Sequence, residues 1–461
     1  MTDVARRDRV DAPAARWLAA DRAATLDRAS GLDMMELATD VGPVPLQVGA
    51  ILVLEGGTGL DAGRIRDVLA ARVCGIPRLR QRLMRAPRGC GRPVWVDDPG
   101  FEVSRHLDEV RCPQPGDEAA LLRVAAGLVT RPLPADRPRW AATVVTGLAG
   151  ASIALIVVFH HVLADGMGGL AVLANLVDGA PSPARADFPR RAPSWRQLAL
   201  DAASTRLRTV GHITDAPARL RDALAELRPG TTHRASRCSL NQPVGTGRQF
   251  AVARTELARV RAAAHEAGGT VNDVVLAAVS EALTALLAAR GEQAGHLVAS
   301  VPVSGRGQAT AAQLGNQVGV IPVPLPTAGS TPDRIRAIAA VTRQRKTEAR
   351  GASAAVLAPA FRLLGALGML RWFSEHQHFV TTFVTNLRGP DAPVWFAGAK
   401  VREVIPLNVV AGNVTVAFAV LSYAGTLGVS VLADADAVPD LRVLADALQS
   451  ALTALVLRPG S

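Results

Sequence analysis

Two adjacent histidines, His160 and His161, follow the apolar run ASIALIVVF (151–159) and open the stretch HHVLADG (160–166). A neutral imidazole can take a proton from an alcohol or amine as that group attacks a thioester carbonyl. Neighbouring residues on a strand face opposite sides. One histidine can therefore face a given channel while the other packs or hydrogen-bonds within the sheet. Asp165, four positions after His161, can turn back to orient a ring or an arginine; it can equally N-cap the helix starting at Gly166. Gly166 permits the close backbone approach that a narrow tunnel needs. No G-x-S-x-G nucleophile elbow is present, so direct transfer with histidine as general base, without an acyl-enzyme, is the natural mechanism. Adjacent strand histidines diverge and no third ligand is evident, so no metal is expected.

The elements that would position this pair alternate along the chain. PLQVGAILVLEG (45–56) reads as a strand, and residues 61–73 and 117–130 as amphipathic helices. Residues 140–148 and 151–159 read as strands, the second apolar enough to be buried on both faces. A helix is expected from Gly166 to Val177. The proline-rich stretch 180–247 reads as a linker or crossover with one or two helical segments. The second half restarts with a strand at 248–255 and a helix after it. A strongly apolar helix follows, with Val271, Val274, Val275, Ala278, Val279, Ala282, Leu283, Leu286 and Leu287 at helical spacing. Thr270 and Asp273 form a near capping box there, which gives Asp273 a structural role. Strands at 296–303 and 317–325, helices at 332–350 and 355–372, strands at 378–385, 400–409, 414–422 and 427–433 and a helix at 438–456 complete the pattern. The stretch 354–373 reads as a buried core helix in preference to an interfacial one with Arg362 and Arg371 snorkelling. The expected division is a disordered extension (1–28), a first subdomain (29–180), a crossover (181–247) and a second subdomain (248–461), each subdomain α/β (α+β) with a mixed sheet.

The 461 residues, 49% hydrophobic and 20% charged, are enough for two cores. The net charge is +11, carried almost wholly by arginine, since only Lys346 and Lys400 are lysines. The arginines are scattered and no nucleic-acid-binding pattern appears, so no nucleic-acid partner is expected. The positive balance suits a phosphate-bearing partner such as coenzyme A, or a membrane surface. Cys74, Cys90, Cys112 and Cys238 lie far apart and read as reduced thiols. No secretory h-region and no apolar run of about 18 residues is present. The expected location is cytoplasmic, with any membrane contact peripheral.

HHVLADG matches the H-H-x-x-x-D-G motif of the CoA-dependent acyltransferase superfamily, which includes chloramphenicol acetyltransferase and peptide-synthetase condensation domains. The remainder resembles the bacterial wax ester synthase/diacylglycerol acyltransferase family. The resemblance is carried by residues 30–53, 131–148, 239–257, 268–283, 301–307, 314–326, 384–390 and 422–440, and spans roughly 29–456 in order. It implies two chloramphenicol-acetyltransferase-like subdomains arranged as a pseudo-dimer, with a substrate tunnel between them and the histidines at its middle. It also implies that His161 is the base, with His160 and Asp165 shaping the site. Gly166, Asn272, Trp140 and Arg139 become candidate substrate-binding positions. Acyl-CoA is then a co-substrate, no cofactor is bound, and the acceptor hydroxyl belongs to a diacylglycerol or long-chain alcohol. A membrane or lipid-droplet surface is the matching further partner.

Three motifs depart from the family pattern: Pro-Leu-Trp becomes Pro138-Arg139-Trp140, Pro-Val-Ser-Leu-Arg becomes Pro302-Val303-Ser304-Gly305-Arg306, and Asn-Val-Pro-Gly-Pro becomes Asn386-Leu387-Arg388-Gly389-Pro390. They motivate an alternative, a tailoring or condensation-like acyltransferase with a more polar natural-product acceptor. A non-catalytic lipid-surface protein is a further alternative, disfavoured by retention of both histidines. Asp40 matches an acidic position of the family, and is expected to be a solvated loop carboxylate.

Overall fold

Ser30 caps a helix that the apolar spacing does not reveal, α1 (Gly31–Thr39). Its hydroxyl accepts the Asp33 amide while the Asp33 carboxylate accepts the Ser30 amide, a complete capping box. The computed structural model describes residues 26–57, 59–163, 166–181, 188–211, 234–293, 295–304, 318–348, 364–365 and 367–454. After α1 come β1 (Gln47–Leu54), α2 (Ala62–Val73), β2 (Gln81–Met84), β3 (Val94–Asp97), β4 (Leu107–Arg111), α3 (Glu118–Thr130), β5 (Trp140–Thr146), β6 (Ile153–His160) and α4 (Gly166–Leu176). The crossover contains α5 (Trp195–Gly211). The second half runs β7 (Arg248–Glu256), α6 (Leu257–Glu266), α7 (Val271–Ala289), β8 (Leu297–Ser304), β9 (Val318–Leu325), α8 (Thr331–Glu348), α9 (Leu370–Glu375), β10 (Thr382–Arg388), β11 (Trp395–Phe396), β12 (Ala399–Leu407), β13 (Val416–Tyr423), β14 (Thr426–Asp434) and α10 (Leu441–Ala454).

Two six-stranded mixed sheets form, in the orders β11-β12-β1-β6-β5-β4 and β7-β14-β13-β10-β8-β9. The short hairpin β2-β3 and the strand β4 are additions to the expected pattern. The expected boundaries at 29–180 and 248–461 need one correction. Strands β11 and β12 come from the second half of the chain, yet β12 pairs antiparallel with β1 and completes the first sheet. Of the expected extension, residues 1–25 lie outside the described residues; its last residue is ordered, since Arg28 bridges Val94 and its guanidinium reaches Asp201 and the Leu198 carbonyl.

Alternation explains why the first sheet is buried on both faces. In β1 and β6, Ala50, Leu52, Leu54, Leu155, Val157 and Phe159 join the core beneath α2 and α4. Their neighbours Ile51, Val53, Ala154, Ile156 and Val158 join another core with α3, which also holds Phe250, Ala417 and Leu432 from the second sheet. Each Val, Leu, Ile or Phe side chain among them stabilises the fold by about 1.5–3 kcal/mol when fully buried. The second sheet has its own core, formed where Val384, Val416, Phe418 and Val420 meet α7. Helix α7 has the length and apolarity of a membrane span, but Val274 to Leu287 lie largely inside this core.

Candidate active site

β6 runs antiparallel between β1 and β5, and its last residue, His160, pairs with Gln47. Backbone bonds pin the histidine pair from both sides. The His160 amide donates to the Arg139 carbonyl at 3.0 Å and the His161 amide to the Leu46 carbonyl at 2.8 Å. The two rings consequently diverge, as strand geometry requires.

His160 points inward and is 3% exposed. Its Nδ1 accepts the Val162 amide at 3.1 Å, which places the ring proton on Nε2. That N–H donates to Asp40 Oδ2 at 2.9 Å. Asp40 is therefore not the solvated loop carboxylate expected from sequence. Its other oxygen accepts the Leu46 amide at 3.0 Å. Burial pushes the Asp40 carboxyl up, but the bonds from His160 and Leu46, with the Arg139 charge, bring it below the ordinary carboxylate value.

His161 opens onto a narrow cavity of about 70 Å³ between the two sheets. Val48, Ala50, Phe159 and Val404 line it from the first sheet, Leu170 and Leu173 from α4, and Leu387, Ala419 and Leu421 from the second sheet. Among the described residues, the polar side chains of the lining are His161, Thr385 and Asn408. The Asn408 amide already donates to the Phe418 carbonyl at 3.2 Å. Gly49 lies in the same wall, and a Cβ there would fall 2.0 Å from the Val157 carbonyl oxygen. On the ring's other side, Glu36 Oε2 stands 3.3 Å from His161 Nδ1. Glu36 and Asp40 are four residues apart at the end of α1, so one helical face presents a carboxylate to each histidine. Sequence reasoning missed this pairing. The S-x-x-D capping box at Ser30 was the signal for the helix that carries it.

The other expected site residues distribute differently. Asp165 lies outside the described residues, and Gly166 begins α4. Trp140, expected to bind substrate, is instead a core residue. It is 2% exposed, stacks on His106 with centroids 4.5 Å apart, and donates Nε1–H to the Leu79 carbonyl at 2.7 Å. Arg139 does not line the cavity; it is half-buried and adds its charge to the surroundings of Asp40. Asn272 also stands apart from the cavity, accepting a bond from Asn386 at 3.3 Å. The reason is β10 parity: Thr385 and Leu387 face the cavity, so Asn386 between them faces α7. Asp273 has the expected structural role, bonded to Thr270 and accepting the Thr342 hydroxyl at 2.8 Å. The stretch 354–373 lies mostly outside the described residues; α9 covers its end, where Leu370 is buried and Trp372 exposed.

Comparison with known proteins decides the lineage. A family model described as the wax ester synthase/diacylglycerol acyltransferase catalytic domain matches residues 29–275, and the family's C-terminal domain matches 314–456. The chain belongs to the wax ester synthase/diacylglycerol acyltransferase family. A probable diacylglycerol O-acyltransferase of Mycobacterium tuberculosis is 31% identical over 428 residues, covering 90% of this chain and 92% of that one. The solved wax ester synthase/diacylglycerol acyltransferase of Marinobacter aquaeolei has the same fold, with a TM-score of 0.68 at 24% identity over 93% of this chain and 99% of that one. A variant starter condensation domain of rhizomide synthetase, solved in complex with C8-CoA, shares the fold at 17% identity. Its TM-score is 0.58, and the match covers 95% of this chain and 96% of that domain. The chain is thus an acyltransferase with the two-unit pseudo-dimer fold of this family. Within it, an imidazole lining an apolar cavity can act as base on a hydroxyl, and the hydroxyl of Thr385 in the same lining can donate to a developing oxyanion.

Proposed function

We propose that this family member transfers a fatty acyl group from coenzyme A to the hydroxyl of a diacylglycerol or long-chain alcohol. His161 Nε2 takes the hydroxyl proton as the oxygen attacks the thioester carbonyl. The tetrahedral oxyanion collapses, the C–S bond breaks, and the imidazolium returns the proton to the departing thiolate, leaving an ester and free CoA. The observation that carries this reading is His161 in an apolar cavity between the sheets. Support for the substrates comes from the diacylglycerol acyltransferase relatives and from the C8-CoA complex of the condensation domain.

The polar-acceptor alternative drew on Arg139, but that side chain lends its charge to the surroundings of Asp40 and is not part of the cavity lining. Its charge therefore gives no reason to abandon a lipid acceptor. We place the enzyme in the cytoplasm, meeting its acceptor at a membrane or lipid-droplet surface. The exposed Leu367, Met369, Trp372 and Phe379 are an apolar group suited to such contact. The test is a matrix of acyl-CoA chain lengths against diacylglycerol, long-chain alcohols and polar alcohols, reading CoA release and product mass. His161→Ala should abolish CoA release with the far-UV spectrum unchanged; full turnover by that variant refutes the mechanism.

A further inference from the structure

We infer that Glu36 is a positioning residue for the base, holding His161 as the tautomer protonated on Nδ1, with the basic lone pair on Nε2. The inference rests on the reading of His161 as base and goes one step beyond it. Glu36 Oε2 lies 3.3 Å from His161 Nδ1, with the two side chains 18% and 21% exposed. An ionised carboxylate only accepts, so the ring nitrogen facing it is the one that carries hydrogen. The opposite nitrogen, Nε2, is then left without a proton and can receive one. At 3.3 Å the pair stands within ion-pair reach but short of a formed hydrogen bond, and catalytic hydrogen bonds commonly tighten in the reacting complex.

The setting gives the contact its weight. Glu36 is mostly buried, with 18% of its side chain exposed, and it places a carboxylate against the ring nitrogen turned away from the reacting groups. Helix α1 is held at one end by its capping box and at the other by the Asp40 amide donating to the Glu36 carbonyl at 3.1 Å. The Asp40–His160 bond then fixes that helix end against β6. Glu36 is thus carried by a rigid element tied to the residue next to the base. As the imidazole gains its proton during attack, the carboxylate also stabilises the imidazolium, the role a third group plays behind a histidine base.

The test compares Glu36→Leu and Glu36→Gln with the parent enzyme, using an acyl-CoA and alcohol pair that the parent turns over. Glu36→Leu should lower kcat about tenfold to a hundredfold, a part of the roughly 10²–10⁴ that a positioned base supplies, with KM for acyl-CoA within about twofold. Glu36→Gln keeps an acceptor oxygen without the charge and should fall between. Nitrogen-15 spectra of histidine-labelled enzyme at pH 8 should show His161 protonated at Nδ1 in the parent, with the balance moving towards Nε2–H in Glu36→Leu. Parent-like kcat in Glu36→Leu overturns the inference, as does a parent His161 protonated at Nε2; the spectrum decides even where the leucine variant fails to fold. His161→Ala separates the two readings. If it is inactive while Glu36→Leu is fully active, only the role of Glu36 falls; if it is active, the base assignment falls.

Discussion

Asp40 accepts the Nε2–H of His160 at 2.9 Å, and the two residues are 120 positions apart in the chain. This bond joins the end of α1 to the end of β6, so it sets where the neighbouring His161 can stand. Asp40→Ala should destabilise the fold by about 1–3 kcal/mol, because the buried His160 N–H loses its acceptor. The loss is read as a lowered denaturant midpoint.

A pH dependence follows from the lowered Asp40 carboxyl. A group whose proton affinity is depressed by folding stabilises fully above its ordinary value, near 3.8, and loses that contribution as pH falls through the lowered one. Between pH 7 and pH 3, thermal midpoints of the parent should therefore fall more than those of Asp40→Asn. Equal slopes would remove Asp40 from the acid response.

Gly49 is held by a close approach of strands. A methyl group there meets the Val157 carbonyl oxygen at 2.0 Å, and that oxygen is backbone within the β1–β6 ladder. Gly49→Ala should cost about 3 kcal/mol and narrow the cavity beside His161. Equilibrium unfolding and the acyl-chain-length profile check both effects.

Thr385 presents a hydroxyl to the cavity from the sheet opposite His161. If it donates to the oxyanion, Thr385→Val should lower kcat about a hundredfold with little change in KM, the loss typical of one missing donor. Thr385→Ser should retain most of the rate. Unchanged kcat in Thr385→Val would leave Asn408 as the next polar side chain to examine among the described residues of the lining.

Trp140 and Asn272 should respond as structural residues. Trp140→Ala removes a buried, hydrogen-bonded ring and should cost about 3–5 kcal/mol. Asn272→Ala loses one bond to Asn386 and should cost about 1 kcal/mol. In both variants, kcat per folded molecule should stay near that of the parent, measured by active-enzyme titration alongside unfolding curves.

Features set by near neighbours in the chain are legible in the amino-acid sequence. Strand parity and the apolar run at 151–159 are enough to say that His160 and His161 diverge. Helical spacing marks α7, and Thr270 with Asp273 marks its capped start. Local side-chain competition blurs other boundaries. The pattern predicts a strand at 378–385, but the Gln377 side chain captures the Phe379 and Val380 amides, and β10 begins only at Thr382.

The sequence by itself determined the alternation of helices and strands and the resemblance to an acyltransferase family, and it offered His161 as the candidate base. Tertiary structure decided what surrounds the histidines: Glu36 against one ring, Asp40 against the other, and Thr385 across the cavity. It also decided that β12 closes the first sheet against β1. Periodicity records which face of an element is apolar, because that face repeats every two or 3.6 residues. It holds no record of which distant face will cover it, since that choice is made by the mutual burial of surfaces far apart in the chain.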